Sequence, residues 1–180
     1  SLMEAIYATA YRVHPYRWPV IGFMEDLDNI SLEKCMDFYR AHYAPNNAVL
    51  VLAGDFKSDQ VKVLIEKYYG AIPSQTIVER ARPSEPVQVS ARSQVISKQV
   101  ESHTMAMVYH TPKAGSPQVY ALDLLANILG RGTSSRLYRR LVYKDQLASL
   151  VSVSNSTNQE GGLFEVVVKL KAKADFERSK

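Results

Sequence analysis

The sequence has a single cysteine and only four histidines among its 180 residues. One cysteine cannot form an intrachain disulfide, so a disulfide-stabilised scaffold is excluded. Cys35 falls on the apolar side of a predicted helix, where we expect a buried thiol rather than a nucleophile. Cysteine use does not distinguish a periplasmic from a cytoplasmic location.

The scarcity of histidine also limits the possible metal sites. The four histidines are His14, His42, His103 and His110. No two of them are three or four residues apart, which is the spacing that helical zinc motifs use. The chain also lacks the Gly-x-Ser-x-Gly turn of a serine hydrolase. These residues predict neither a metal site nor a catalytic constellation, and we expect the chain to bind no stoichiometric zinc.

Long hydrophobic runs are absent. The longest apolar run covers residues 48–53, whereas a membrane-spanning helix needs about 18 or more apolar residues. No membrane span is therefore predicted. Because this run lies between a Pro-Asn-Asn turn and Gly54-Asp55, it is typical of a buried strand.

Acidic residues are missing from residues 131–144. Five cations lie there: Arg131, Arg136, Arg139, Arg140 and Lys144. They account for the net charge of +4, since the rest of the chain is nearly neutral. A solvated helix face explains them better than a polyanion-binding surface, so nucleic acid is not an expected partner. The preceding Gly-Arg-Gly-Thr-Ser-Ser turn lacks a P-loop ending and is expected to end one helix and begin another.

Apolar periodicity predicts an alternation of helices and strands. Steps of three and four residues predict helices over residues 2–13, after Ser31, after Ser58, over 119–130 and around Leu137 and Leu141. Alternating patterns predict strands over 94–101, 104–110, 147–155 and 163–170, with the last two forming a hairpin. Because the opening helix leaves no room for a capping residue, we expect the sequence to be a piece cut from a longer protein.

Residues 73–93 differ in composition from the rest of the chain. They hold three of the eight prolines among Ser, Gln, Glu and Arg, which is typical of a linker. The expected fold class is therefore α+β. We predict two sheet-and-helix units, with residues 1–72 ending the first, 73–93 linking them and 94–180 forming the front part of the second.

Several sequence blocks together resemble one enzyme family. In chain order they are HPYRWPVIG, NISLEKCMDFYRAHYAPNNAVLVLAGDF, KYYGAIP and GRGTSSRLYRRLVYKDQLA. In content and order they are similar to the pitrilysin/insulinase family of zinc metallopeptidases, which includes the mitochondrial processing peptidases. The most specific part is the Tyr-x-Pro-Asn-Asn-Ala stretch at residues 43–48.

This resemblance implies a pair of similar α+β domains, of which one carries a His-x-x-Glu-His zinc motif and a distal Glu ligand. The zinc polarises the scissile carbonyl and activates water. None of these residues is present, so the resemblance places the end of the zinc domain in residues 1–72 and the front of the non-catalytic domain in 94–180. Zinc and a peptide substrate are expected for the parent, and no activity for this chain alone. The alternative is a structural or peptide-binding subunit that has lost catalysis.

The first block, HPYRWPVIG, resembles the connector that follows the family's metal-bearing helix. Its prolines restrict the backbone, and Tyr16, Trp18 and Ile21 are expected to be apolar anchors. We expect His14 to hydrogen-bond within this loop rather than to bind metal.

The last block departs from the family at two positions. Where many members read Leu-Arg-x-Lys-x-Gln-Leu-x-Tyr, with an Arg and a Tyr that reach the substrate, this chain has Val142 and Ser149. The nearby donors Arg136, Arg140 and Tyr143 are alternatives, although each is expected to face solvent. The resemblance therefore suggests that a homologous second subunit supplies the missing Arg and Tyr.

Overall fold

The computed structural model describes residues 1–77 and 83–171. Its α-helices are α1 (Leu2–Ala10), α2 (Met24–Asp28), α3 (Leu32–His42), α4 (Ser58–Tyr69) and α5 (Pro117–Gly130). Its strands are β1 (Thr104–Thr111), β2 (Ala148–Ser156) and β3 (Gly162–Leu170). Short 3₁₀ turns cover Pro15–Arg17 and Pro45–Asn47, and a π-helix covers Tyr138–Lys144. The predicted α+β class is confirmed.

The chain divides into two compact units. The first, the sheet unit, consists of Ser1–Trp18 together with the chain from Ser84 onward, and the second, the helical unit, consists of Pro19–Pro83. The division into 1–72, 73–93 and 94–180 stays a prediction.

The sheet unit is built on a three-stranded antiparallel sheet in the order β1-β3-β2. The hairpin predicted from the Gly161-Gly162 signal is formed by β2 and β3. One face of the sheet packs against α5, and its core consists of Ala126, Ala148, Val151, Val153, Phe164, Val166, Val168 and Leu170. A second, smaller cluster consists of Ile6 and Ala10 of α1, the following Tyr11, and Leu163 of β3. The central strand β3 contributes to both clusters, and seven of its nine residues are buried.

The prediction that the opening helix has no room for a capping residue is wrong. Ser1 is the N-cap of this helix, its hydroxyl accepts the Glu4 N–H, and the Glu4 side chain returns to the Ser1 backbone nitrogen. This reciprocal capping box satisfies two helix-end donors. The opening helix therefore has its own capping residue within the sequence.

In the helical unit, the two predicted helices are present as α3 and α4, whereas the predicted strand at residues 48–53 is not formed. Ser31 caps α3 through its hydroxyl, as predicted. Ser58 is the first residue of α4 rather than its cap, which is Lys57. Cys35, predicted to be buried, is exposed, because no described element covers that face of α3.

Two predicted strands are absent from the described residues. Residues 48–53 and 94–101 belong to no strand of the described structure, and Val49, Val51 and Val95 are 81–90% exposed. A strand is stabilised by cross-strand pairing and not by its own sequence. The apolar pattern at these positions was therefore insufficient to form a strand.

Candidate functional site

The backbone of the sheet unit is irregular at three nearby positions between the end of α5 and the middle of β2. Tyr138–Lys144 form a π-helix, Gln146 has a left-handed φ of 52°, and the pairing of β2 with β3 shifts between Ala148 and Leu150. Ser149 is the extra residue of this bulge. Such irregularities are costly, and they are frequent at functional sites. We call residues 136–149 the irregular segment.

Hydrogen bonds hold the irregular segment in place. The Asp145 N–H donates to the Arg140 carbonyl at 2.9 Å, and the Leu147 N–H donates to the Leu141 carbonyl at 2.9 Å. The Arg140 Nε donates to the Asp145 carboxylate at 2.6 Å. These contacts end the π-helix and impose the left-handed turn at Gln146 before β2 begins.

The three residues that the sequence nominated for substrate binding have different surroundings. Val142 is half-buried and packs against the hydrophobic core of the sheet unit. Ser149 is exposed, and its hydroxyl donates to the Lys169 carbonyl at 3.1 Å. Arg136 is exposed at the start of the segment. Their roles in binding stay predictions, but Val142 and Ser149 lie inside the π-helix and at the bulge.

The exposed side chains of the irregular segment are mostly cationic. Arg136, Arg139 and Lys144 are exposed and form no ion pair with any described residue, whereas Arg140 is paired with Asp145. Tyr143 is 80% exposed. This surface offers donors for carboxylates and carbonyl oxygens.

No cluster of His, Cys, Asp and Glu within residues 1–77 and 83–171 has the proximity needed to hold a metal ion. No helix in the same part of the chain is both long and apolar enough to cross a lipid bilayer.

His14 forms a hydrogen bond within its own loop, as predicted. The His14 Nδ1 accepts the Tyr16 N–H at 3.2 Å, and the His14 Nε2 lies 2.8 Å from a Glu160 carboxylate oxygen. Because Nδ1 is an acceptor, the ring proton of the neutral histidine is on Nε2 and is donated to Glu160. The side chain is buried. Both ring nitrogens are thus committed to structure.

The predicted apolar anchors of this loop are partly wrong. Tyr16 is half-buried, but Trp18 is 56% and Ile21 is 95% exposed. Polar contacts hold the loop instead, because the Glu85 carboxylate accepts three consecutive backbone N–H groups, from Arg12, Val13 and His14, at 2.7–3.0 Å.

Glu85 is therefore an organising carboxylate that sequence reasoning missed. Burial by itself raises the pKa of Glu85, but the three N–H donors and the Arg92 guanidinium at 3.7 Å outweigh burial and lower the pKa to about 2. No sequence pattern links Glu85 to residues more than 70 positions earlier, so only the fold reveals the contact.

Two further ionisable groups lie beneath α1. Burial raises the pKa of Tyr11 to about 12, and its hydroxyl donates to the Gly162 carbonyl at 3.3 Å. Burial also raises the pKa of Glu165, which accepts a hydrogen bond from Ser156 at 3.2 Å. Because both side chains form hydrogen bonds within the sheet unit, we assign them a structural role.

Comparison with curated proteins identifies relatives along most of the chain. The zinc protease PqqE of Helicobacter pylori is 36% identical over 161 residues, which is 87% of this chain and 36% of that protein. An uncharacterized zinc protease of Rickettsia felis is 27% identical over 168 residues, or 92% of this chain and 39% of that protein. The chain thus spans less than two fifths of the length of these two relatives.

Solved structures agree with this. A protease from Helicobacter pylori superposes with a TM-score of 0.78 at 33% identity, covering 98% of this chain and 44% of that one. A peptidase M16 inactive domain from Pseudomonas fluorescens shares the fold, with a TM-score of 0.70, 21% identity and coverage of 93% and 40%. Residues 29–179 match the family description "Peptidase M16 inactive domain". The resemblance read from the sequence blocks is therefore confirmed, and the chain belongs to the peptidase M16 family.

Proposed function

We propose that this chain belongs to a zinc-dependent endopeptidase that acts on peptides or unfolded polypeptides, and that its sheet unit contacts the substrate without cleaving it. The observation that supports this role is the irregular segment. It holds a π-helix, a left-handed residue and a bulge at the positions where the family places an Arg and a Tyr, here Val142 and Ser149. The zinc site belongs to residues outside this chain, so the chain alone is inactive.

At the family's Arg and Tyr positions, this chain lacks side chains that can donate a hydrogen bond to the substrate. Val142 has no donor and is half-buried, and the Ser149 hydroxyl is already bonded to the Lys169 carbonyl. We therefore expect neither side chain to donate a hydrogen bond to a substrate carbonyl. A donor of this kind is typically worth about 2.7–4 kcal/mol in the transition state. We therefore propose that a homologous second subunit supplies the Arg and the Tyr.

Activity of the full-length, zinc-loaded parent tests this. We expect little hydrolysis of a fluorogenic unfolded polypeptide by the parent alone and at least about 10²-fold more after the homologous subunit is added, since a single such donor is already worth about that factor. Full turnover by the parent alone, unchanged by the subunit, would contradict the two-subunit proposal.

Substitution in the parent gives an independent check. Val142→Arg combined with Ser149→Tyr restores both donors, so the parent should become active without the second subunit. Leu124→Arg is the matched control. Leu124 is 66% exposed on α5, so this substitution adds the same cation away from the irregular segment. Equal effects of both changes would mean that added charge, and not the restored donors, raises activity.

The second candidate function is a non-catalytic, peptide-binding or structural subunit. The loss of both substrate donors favours it. This candidate predicts that the full-length parent binds no zinc and that neither the added subunit nor the restored donors produce hydrolysis, which metal analysis of the dialysed parent distinguishes.

A further inference from the structure

The π-helix of the irregular segment sets which side chains lie next to each other. In an α-helix, residues five apart point in directions about 140° apart around the axis. A π-helix instead joins residues five apart by its backbone hydrogen bond, and the Asp145 N–H donates to the Arg140 carbonyl at 2.9 Å. The side chains follow the backbone, because the Arg140 Nε donates to the Asp145 carboxylate at 2.6 Å. Residues five apart are therefore neighbours on the surface of this helix.

A second pair of charged residues has the same spacing, and both of its members are cations. Arg139 and Lys144 lie in the π-helix, each one position before a member of the Arg140–Asp145 pair. Both residues are exposed. The π-helical turn therefore places the Arg139 guanidinium and the Lys144 ammonium on one side of the helix, whereas an α-helix would separate them.

No carboxylate of the surrounding sequence neutralises these two cations. Asp145 is the only acidic residue in 131–149, and its carboxylate is paired with Arg140. Two like charges that are neighbours on a helix destabilise it. An anionic group between them removes this repulsion and accepts charge-assisted hydrogen bonds from both. The pair therefore fits a carboxylate ligand, which a guanidinium holds by two hydrogen bonds and an ammonium holds as a point charge.

We infer that Arg139 and Lys144 form a binding site for the carboxylates of an acidic polypeptide segment. The choice of a polypeptide as ligand rests on the proposed function, whereas the spacing of the two cations is a property of the π-helix and is independent of catalysis. Val142, at the family's Arg position, lies between them in the same helix. The site therefore gives the chain a preference for substrates with neighbouring Asp or Glu residues.

Binding of two matched peptides to the full 180-residue chain tests this inference. One fluorescent peptide has Glu-Thr-Glu at its centre, flanked by Ser and Gly, and the other has Gln at both Glu positions. Anisotropy at low ionic strength should show about tenfold tighter binding of the Glu peptide, since each exposed ion pair contributes a factor of a few. Equal binding of the two peptides, or binding of neither, would overturn the inference.

Charge removal tests the location of the site. Arg139→Gln with Lys144→Gln should weaken binding of the Glu peptide about tenfold and should lessen its salt dependence. Lys113→Gln with Arg131→Gln is the matched control, since it removes two exposed cations that lie outside the π-helix. The same weakening in the control would show a general charge effect and would contradict the assigned location.

Moving one cation tests the π-helical spacing at constant charge. Gln146 is exposed and lies beyond the π-helix, in the left-handed turn. Lys144→Gln with Gln146→Lys therefore keeps the composition but takes the lysine out of the helix. This variant should bind the Glu peptide about threefold more weakly than the wild type, as Lys144→Gln alone should. Binding equal to that of the wild type would show that the spacing is irrelevant and would refute the site.

Competition and sedimentation identify the source of the anion. Inorganic phosphate that displaces the Glu peptide at concentrations below the Kd of that peptide would identify a phosphate site and would refute the inference. Sedimentation should show a monomer. Dimers that dissociate when Arg139 and Lys144 are replaced by glutamine would identify a second copy of the chain as the ligand and would refute it too.

The outcomes also separate this inference from the proposed function. Carboxylate-dependent binding by the chain of an inactive parent would reject only the proposed function. An active parent whose chain binds the Glu and Gln peptides equally would reject only this inference.

Discussion

Replacing Gly162 with alanine is expected to destabilise the sheet unit by about 3 kcal/mol, the upper part of the usual range for overpacking. A Cβ at this position would overlap the Ser156 carbonyl oxygen and would lie 2.8 Å from its carbonyl carbon and 3.1 Å from the Thr111 Oγ1. These neighbours belong to β2 and β1, which flank the first residue of β3. Neither strand can move away without losing its pairing.

Urea unfolding followed by circular dichroism measures this effect. Gly115→Ala is the control, because no atom lies within 4 Å of its added Cβ and only its left-handed φ of 82° is strained. We expect that variant to lose about 1 kcal/mol. An equal loss of stability in the two variants would show that steric overlap with the neighbouring strands at Gly162 is not the cause of the destabilisation.

Replacing Glu85 with glutamine is expected to cost about 2–3 kcal/mol at neutral pH. The folded carboxyl has a pKa of about 2 against an ordinary value of 4.5, and a pKa difference of one between the folded and unfolded states corresponds to about 1.4 kcal/mol of stability. The Glu85 side chain is 10% exposed, so solvent screens it little. Glutamine keeps the shape but loses the charge that strengthens the three N–H contacts.

The pH dependence of this difference has a defined sign. The folded pKa is depressed, so the stabilisation is fully present above pH 4.5 and is lost as pH falls toward about 2. The wild type and Glu85→Gln should therefore converge in stability near pH 2. Glu101→Gln, at an exposed position, should match the wild type throughout. A constant gap between the wild type and Glu85→Gln from pH 7 to pH 2 would exclude the charge as its source.

Local sequence determined the helices and the hairpin. Ser31 accepts the Lys34 N–H from three residues away, and α5 ends at Gly130 as its periodicity predicts. The Gly161-Gly162 pair joins two neighbouring strands. Each of these features depends on groups close together in the chain, so its signal is present in a short window. The order of sequence blocks likewise identified the family.

Tertiary structure decided the features that depend on distant groups. Residues 48–53 have the composition of a strand but no described partner, and exposure of Cys35 depends on what covers α3. The backbone of the irregular segment has no periodicity by which sequence could reveal it. Glu85 reaches N–H groups more than 70 residues earlier. Strand pairing, burial and such contacts are set by which surfaces the fold brings together, and a sequence window contains only one side of each.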